Sequence, residues 1–288
     1  MAKKAIVMGA TSGIGMEVAK LLAAKGWQVG IAGRRIERLQ ALIAKGKTTL
    51  QGKTTLQKGI SSDGEETSQG GITCYQQIDV TSPDAPAQLQ ELIDKLGGMD
   101  LYFHSSGIGW QNNTLDIEKE LKTLETNGLG FTRMVDTAFN WFAAQSSTPT
   151  NKSDFSVPES KKKANHACQK FRIACITSIA GTKGLGAAPS YSATKRFQNH
   201  YLECLSQQAR MRHLPIAITD IRPGFVKTDL IAGSSYPLQL KPEDVAKHIE
   251  NAIENGVEVK VIDWRYDILV FLWRLIPRWL WTRLRITT

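Results

Sequence analysis

The stretch Ala5-Ile6-Val7-Met8-Gly9-Ala10-Thr11-Ser12-Gly13-Ile14-Gly15 decides how the rest of the chain is read. Three glycines, Gly9, Gly13 and Gly15, stand between a short apolar strand, Ala5–Met8, and a helical pattern over Ile14–Ala24. In that order one glycine permits a sharp turn, another lets backbone approach a pyrophosphate, and the third lets helix and strand pack closely. The helix N-terminus offers unpaired N–H groups and a partial positive charge to a phosphate. Thr11 and Ser12 add hydroxyl donors. Three glycines alone are a weak signal; their place between strand and helix gives them weight.

Outward from this turn the chain alternates strand and helix. Strand patterns cover Val29–Ala32, Ile72–Ile78, Leu101–Ser105, Ile173–Thr177, Ile216–Ile221 and Val257–Ile262. Helical patterns cover Ile36–Ala44, Pro86–Leu96, Leu115–Gln145, Tyr191–Arg212 and Pro242–Asn255. Such alternation predicts an α/β fold, a Rossmann-type doubly wound parallel sheet covered on both faces. One domain spans 1–263, interrupted by polar insertions at 46–71 and 146–166, and a tail covers 264–288. The first insertion repeats Gly-Lys-Thr-Thr-Leu-Gln from Gly46 and from Gly52. Gly52-Lys53-Thr54 is not a phosphate-binding P-loop, because Lys47 stands where the first glycine belongs and no strand leads in.

The chain has 288 residues and a net charge of +9. Its basic residues are spread out and no nucleic-acid-binding motif accompanies them, so nucleic acid is not an expected partner. The four cysteines, Cys74, Cys168, Cys175 and Cys204, form no Cys-x-x-Cys pair, and no metal site is expected. Cys175 reads as a small core residue. No apolar leader stretch precedes Ala5, and the expected location is cytoplasmic.

The second strand ends Gly33-Arg34-Arg35, with no carboxylate before Glu37. An acidic residue here would bond the ribose hydroxyls of NAD, whereas arginine accommodates the 2′-phosphate of NADP. Solvated helix-start charges are the plain alternative; in this slot the reading is NADP(H) in preference to NAD(H). Tyr191-Ser192-Ala193-Thr194-Lys195 puts a phenol and an ammonium one turn apart on a helix. A nearby cation should lower the phenol pKa from about 10 and make it a general acid or base. Ser178 closes the fifth strand, where its hydroxyl can donate to a developing alkoxide.

The glycine spacing, the Tyr-x-x-x-Lys pair and a serine thirteen positions before the tyrosine resemble the classical short-chain dehydrogenase/reductase family, over roughly Lys4 to Ile262. The resemblance implies hydride transfer between NADP(H) and a carbonyl or secondary alcohol, with Ser178, Tyr191 and Lys195 catalytic. It implies that Asn127 serves a water-linked proton relay to the lysine. Ser12 and Ile14 would touch the cofactor phosphates, Asp79 and Val80 the adenine, and Lys195 the nicotinamide ribose. Pro223 and Gly224 follow the sixth strand as in the family, and Val226 and Thr228 would hold the carboxamide and phosphate. His104-Ser105-Ser106-Gly107 departs from the family's Asn-Asn-Ala-Gly. Ser106 and Gly107 should still pack backbone against the cofactor, and His104 reads as structural. A homodimer or homotetramer is also implied.

The tail from Trp264 carries four of the seven tryptophans. Residues 260–288 hold six Lys/Arg and two Asp, and Pro277 should divide the helix into two short segments. The apolar runs are too short for a membrane span of ~20 residues. An amphipathic element suits peripheral membrane contact, a pocket cap or a subunit interface, and each favours a hydrophobic substrate. The alternative from another class is a catalytically silent NADP-binding sensor or scaffold, which has no need of Ser178, Tyr191 and Lys195 together.

Overall fold

Seven strands form one parallel sheet in the order β3-β2-β1-β4-β5-β6-β7. They are β1 (Lys4–Met8), β2 (Gln28–Gly33), β3 (Gly71–Gln77), β4 (Leu101–His104), β5 (Phe171–Ile176), β6 (Ile216–Arg222) and β7 (Val259–Val261). The computed structural model describes residues 2–53, 70–146, 170–229, 236 and 238–286, and for 45–53 the backbone alone. The helices are α1 (Gly13–Ala24), α2 (Ile36–Lys53), α3 (Ala85–Leu96), α4 (Ile117–Leu124), α5 (Phe131–Ser146), α6 (Pro189–Met211), α7 (Pro242–Glu254), α8 (Trp264–Leu275) and α9 (Arg278–Trp281).

Strands that are apolar at every position need cover on both faces. On one face Ile6, Met8, Tyr102 and Ile173 pack with Leu89 and Leu92 of α3, Phe131, Val135 and Phe139 of α5 and Leu202 of α6. On the other, Val7, Val29, Ile31 and Phe103 pack with Val18 and Leu22 of α1, Leu39 of α2 and Ile249 of α7. The strand order reverses between β1 and β4, which opens a crevice at their carboxyl ends. Cys175 lies in the core, as expected, and Cys168 lies outside the described residues.

Three elements differ from the sequence reading. The single helix expected over Leu115–Gln145 is two helices joined by a π-helical turn, Glu125–Gly130. Periodicity cannot register this, because one wide turn only shifts the apolar phase. The first insertion is helical as far as Lys53, because α2 runs on through the Gly46–Lys53 repeat. Gly52-Lys53 thus lies within a helix rather than opening one, and residues 54–69 lie outside the described residues, as do 147–169, which take in all but the first residue of the second insertion. Finally, α8 is apolar on two faces: Tyr266 and Val270 are buried, while Trp264, Ile268, Phe271, Leu272 and Leu275 are exposed. Its division from α9 at Pro277 is as expected.

Candidate active site

The crevice is built from backbone placed closely against backbone. Gly9 adopts a φ of 87°, and a Cβ there would stand 2.7 Å from the Ser106 nitrogen. A Cβ on Gly15 would stand 2.4 Å from the Gly9 carbonyl oxygen. The turn is held to β2 by the Gly9 and Ala10 amides, which both donate to the Ala32 carbonyl. Ser12 occupies the N-cap of α1 without making a side-chain capping bond. The first-turn N–H groups therefore face the crevice with the helix dipole behind them. Gly13 sits under Thr228, whose Cγ2 would lie 2.9 Å from a Cβ there.

Arg34 and Arg35 diverge. Arg34 lines an open hollow of about 270 Å³ with Gln77, Asp79, Ser82 and Gln88, at the carboxyl ends of β2 and β3. Arg35 turns inward over the glycine turn, where Nη2 donates to Thr11 Oγ1 at 2.9 Å and to Ser12 Oγ at 2.6 Å. Its Nη1 pairs with Asp229 at 3.0 Å, and Arg38 pairs with the same carboxylate at 3.1 Å. The two arginines hold the Asp229 carboxyl below its usual range, the bond from Arg35 being the largest cause. Arg38 and Asp229 were not singled out from the sequence; Arg38 lies three residues after Arg35 on α2, a spacing that would have found it. Asp79 Oδ1 accepts from Thr81 N–H and Oγ1, which fixes its carboxylate. Val80 is buried, and its carbonyl accepts from Arg133.

The acid/base candidates converge beyond β4 and β5. Ser178 caps a single 3-10 turn, Ile179–Gly181, its Oγ accepting from the Ala180 amide at 3.0 Å. Ser178 lies near enough to Tyr191 to draw its phenol pKa downward. The Tyr191 ring lies against Gly109, where a Cβ would come within 2.2 Å of Cδ2. Lys195 Nζ stands 5.7 Å from the Tyr191 ring centroid and donates to the Ile176 carbonyl at 3.1 Å. Gly107 passes over both Asn127 Oδ1 and Lys195 Nζ, which a Cβ would meet at 3.4 and 3.5 Å.

Asn127 is wholly buried in the π turn. Its side chain closes a reciprocal pair with Ile108, accepting from the amide at 3.0 Å and donating to the carbonyl at 2.7 Å. Burial pushes the Tyr191 phenol up, with Ser178 acting the other way. The lowering expected from Lys195 is not among the causes at work on the phenol. Burial brings Lys195 itself down to about 8, against the pull of Asp220 and Cys175. His104 is a core residue: its Nδ1 meets the Tyr102 hydroxyl at 2.9 Å, and burial lowers its pKa to about 3.

The sequence reading did not anticipate the support behind this cluster. Asp220, buried on β6, accepts from Thr177 and Asn199 and pairs with Arg222 at 2.6 Å. Ser192 Oγ lies 2.9 Å from both the Ala180 and Lys183 carbonyls, which share its one proton, and accepts from the Leu185 amide, fixing the loop after β5. The tail grips both loops that border the site. Trp281 Nε1 donates to the Gly184 carbonyl at 2.7 Å, and Lys183 Nζ to the Ile276 carbonyl at 2.7 Å. The Tyr266 hydroxyl accepts from Phe225 N–H and donates to the Leu238 carbonyl, both at 3.1 Å.

The short chain dehydrogenase family model matches residues 3–148 and 164–236. The chain belongs to the short-chain dehydrogenase family. It is accordingly an NAD(P)-dependent oxidoreductase of that family, and the gap in the match, 149–163, falls within the second insertion. The chain is 27% identical over 280 residues to an uncharacterized oxidoreductase of Myxococcus xanthus, covering 96% of this chain and 93% of that one. It is 25% identical to the dehydrogenase/reductase SDR family member 7B of Xenopus laevis, covering 94% and 77%. Among solved structures its fold is similar to a short-chain dehydrogenase from Sphingobium yanoikuyae in complex with NADPH, with a TM-score of 0.69 at 16% identity, covering 99% and 98%. An alcohol dehydrogenase from Thermococcus sibiricus complexed with 5-hydroxy-NADP gives 0.67 at 17%, covering 91% and 95%. In this short-chain dehydrogenase the family's glycine turn and its tyrosine helix flank one crevice.

Proposed function

We propose that this enzyme interconverts a carbonyl and a secondary alcohol on a hydrophobic substrate, using NADP(H) in preference to NAD(H). The observation that carries the reading is the convergence of Ser178, Tyr191, Lys195 and Asn127 beside a crevice whose walls have no room for a Cβ at Gly9 or Gly15. That crevice fits a dinucleotide. Gly9, Thr11, Ser12, Gly13, Ile14 and Gly15 would cradle the pyrophosphate at the N-terminus of α1. Arg34 and Arg35 would take the 2′-phosphate, Asp79 and Val80 the adenine. Ser106, Gly107, Pro223, Gly224, Val226 and Thr228 would border the nicotinamide end, and Tyr191 and Lys195 its ribose. When bound, the nicotinamide supplies or accepts the hydride.

The chain's own residues do the rest. In the reducing direction the Ser178 and Tyr191 hydroxyls donate to the carbonyl oxygen and stabilise the charge that develops there. Tyr191 gives up its proton to that oxygen. Lys195 keeps a positive charge beside the phenolate that results, and Asn127 holds the π turn against Ile108. The NADP-bound and NADPH-bound similar structures support the cofactor reading. The exposed Leu124, Leu129 and Phe197, around an apolar groove of about 620 Å³ on α4, α5 and α6, support a homo-oligomer. The exposed apolar stripe of α8 with Arg274 and Arg278 supports peripheral membrane contact from the cytoplasmic side.

The test is Tyr191→Phe, assayed by NADPH oxidation over ketones of graded chain length. We expect kcat to fall by about 10²–10⁴, the range for a positioned proton donor, with NADPH affinity within a few fold. Near-normal kcat on a substrate whose chemical step limits turnover overturns the mechanism.

A further inference from the structure

Gln198 lies on α6 three residues after Lys195, and none of it is exposed. Both ends of its amide are engaged inside the protein. Nε2 donates to the main-chain carbonyl of Asn127 at 2.9 Å, and Oε1 accepts from Lys195 Nζ at 2.9 Å. The Asn127 carbonyl is open to this because it sits in the π turn Glu125–Gly130, where the regular α ladder is interrupted. The Lys195 ammonium has three N–H groups. One is directed to Gln198 and one to the Ile176 carbonyl. The water-linked relay implied by the family resemblance would join Asn127 to the same ammonium. Here a side chain of the protein joins them.

We propose that Gln198 is a positioning residue that links the Asn127 carbonyl to Lys195 and holds the ammonium beside Tyr191. A neutral amide donates through nitrogen and accepts through oxygen but does not titrate near neutral pH. The inference rests on the carbonyl–alcohol chemistry proposed above. The charged and titratable groups around Lys195 are Asp220 on β6, Cys175 on β5, His104 on β4 and Tyr191 on its own helix. Asp220 is already paired with Arg222, His104 is held neutral, and burial pushes the Cys175 thiol up. Gln198 is the direct side-chain acceptor that fixes where the ammonium points.

The test titrates Lys195 directly. Protein carrying [13Cε]lysine is followed by NMR against pH without cofactor, the signal being assigned with Lys195→Arg. In Gln198→Leu the charged form loses an acceptor, and its midpoint should fall by about half a unit or more. In Gln198→Glu a carboxylate faces the ammonium, and the midpoint should rise by about one unit. The basic limb of the kcat profile should move with each midpoint. For Gln198→Leu, kcat at neutral pH should drop by roughly tenfold, as for a lost orienting contact, with KM for the ketone little changed. Midpoints that stay at the wild-type value in both variants overturn the proposal, even if melting temperatures fall, because that pattern is packing alone. Should Gln198→Leu not fold, Gln198→Glu decides by the same shift. If wild-type protein oxidises no NADPH with any ketone, the proposed reaction fails, while the titration still decides the link.

Discussion

Arg34 and Arg35 leave the end of β2 in different directions, one toward the hollow beside Asp79 and one over Thr11 and Ser12. Asp229 meets both Arg35 and Arg38 and occupies them with a negative charge of the protein's own. A bound 2′-phosphate would compete for the same guanidinium groups. NADPH should still bind more tightly than NADH, by about 1.5–3 kcal/mol for one charge-assisted contact. Calorimetry on wild type and on the Arg34→Ala/Arg35→Ala double variant checks this, and equal wild-type affinity for both cofactors contradicts it. The pH dependence follows from Lys195, whose pKa burial lowers to about 8. In the proposed mechanism catalysis uses the ammonium, so kcat should decline as pH rises through about 8. Stability runs the other way. An unfolded lysine titrates near about 10.4, so between these values the unfolded chain binds more protons and stability rises with pH. Urea unfolding at the two ends of that window should show this rise in wild type and not in Lys195→Met. Tyr191, Lys195 and Ser178 were legible as candidates because their order and spacing are written along the chain, and Asn127 through the family resemblance. Gln198 and Asp229 were not, since each acquires its meaning only from a partner brought in by folding.

At the scale of elements, strands and most helices were readable because each buries one periodic set of side chains in a two-faced sheet. The π turn was not, and it matters most for the site. Gly130 lets it approach β3's exit, where a Cβ would stand 2.8 Å from Val80 Cγ2. The tail's composition left a membrane surface, a pocket cap and a subunit interface open, and one face of α8 is an internal brace against the loop after β6. A Cβ on Gly224 would lie 2.1 Å from Tyr266 Cζ, so the Pro223-Gly224 turn and the tyrosine ring are shaped to each other. Tyr266→Phe keeps the ring and removes the hydroxyl that Phe225 N–H and the Leu238 carbonyl share. Leaving those groups unpaired should cost about 1–3 kcal/mol in denaturant unfolding. It should also raise KM for the carbonyl substrate, since Phe225 and Leu238 border the loop after β6. An unchanged midpoint would mean that the tail does not brace that loop.

The whole molecule combines a sheet that places the chemistry with a tail whose outer face is exposed among the described residues. Among the described residues no helix is long and apolar enough to cross a membrane. Trp264, Ile268, Phe271, Leu272 and Leu275 nevertheless recur at helical spacing on the exposed side of α8, and Phe271 is 61% exposed. Burying one such side chain fully is worth about 1.5–3 kcal/mol. A bilayer surface can take that stripe while Arg274, Arg278 and Arg283 reach lipid phosphates. The inner face is tied to the site through Tyr266 and Trp281, so removing the whole tail would confuse docking with folding. Ile268→Ser/Phe271→Ser/Leu275→Ser changes the outer stripe and spares both anchors. This variant should keep its melting temperature and its activity on short ketones, lose binding to anionic vesicles, and show a raised KM for long-chain ketones. Wild-type behaviour on vesicles and long ketones would assign the stripe to a second copy of the chain, which sedimentation of the same variant would show as a loss of oligomer.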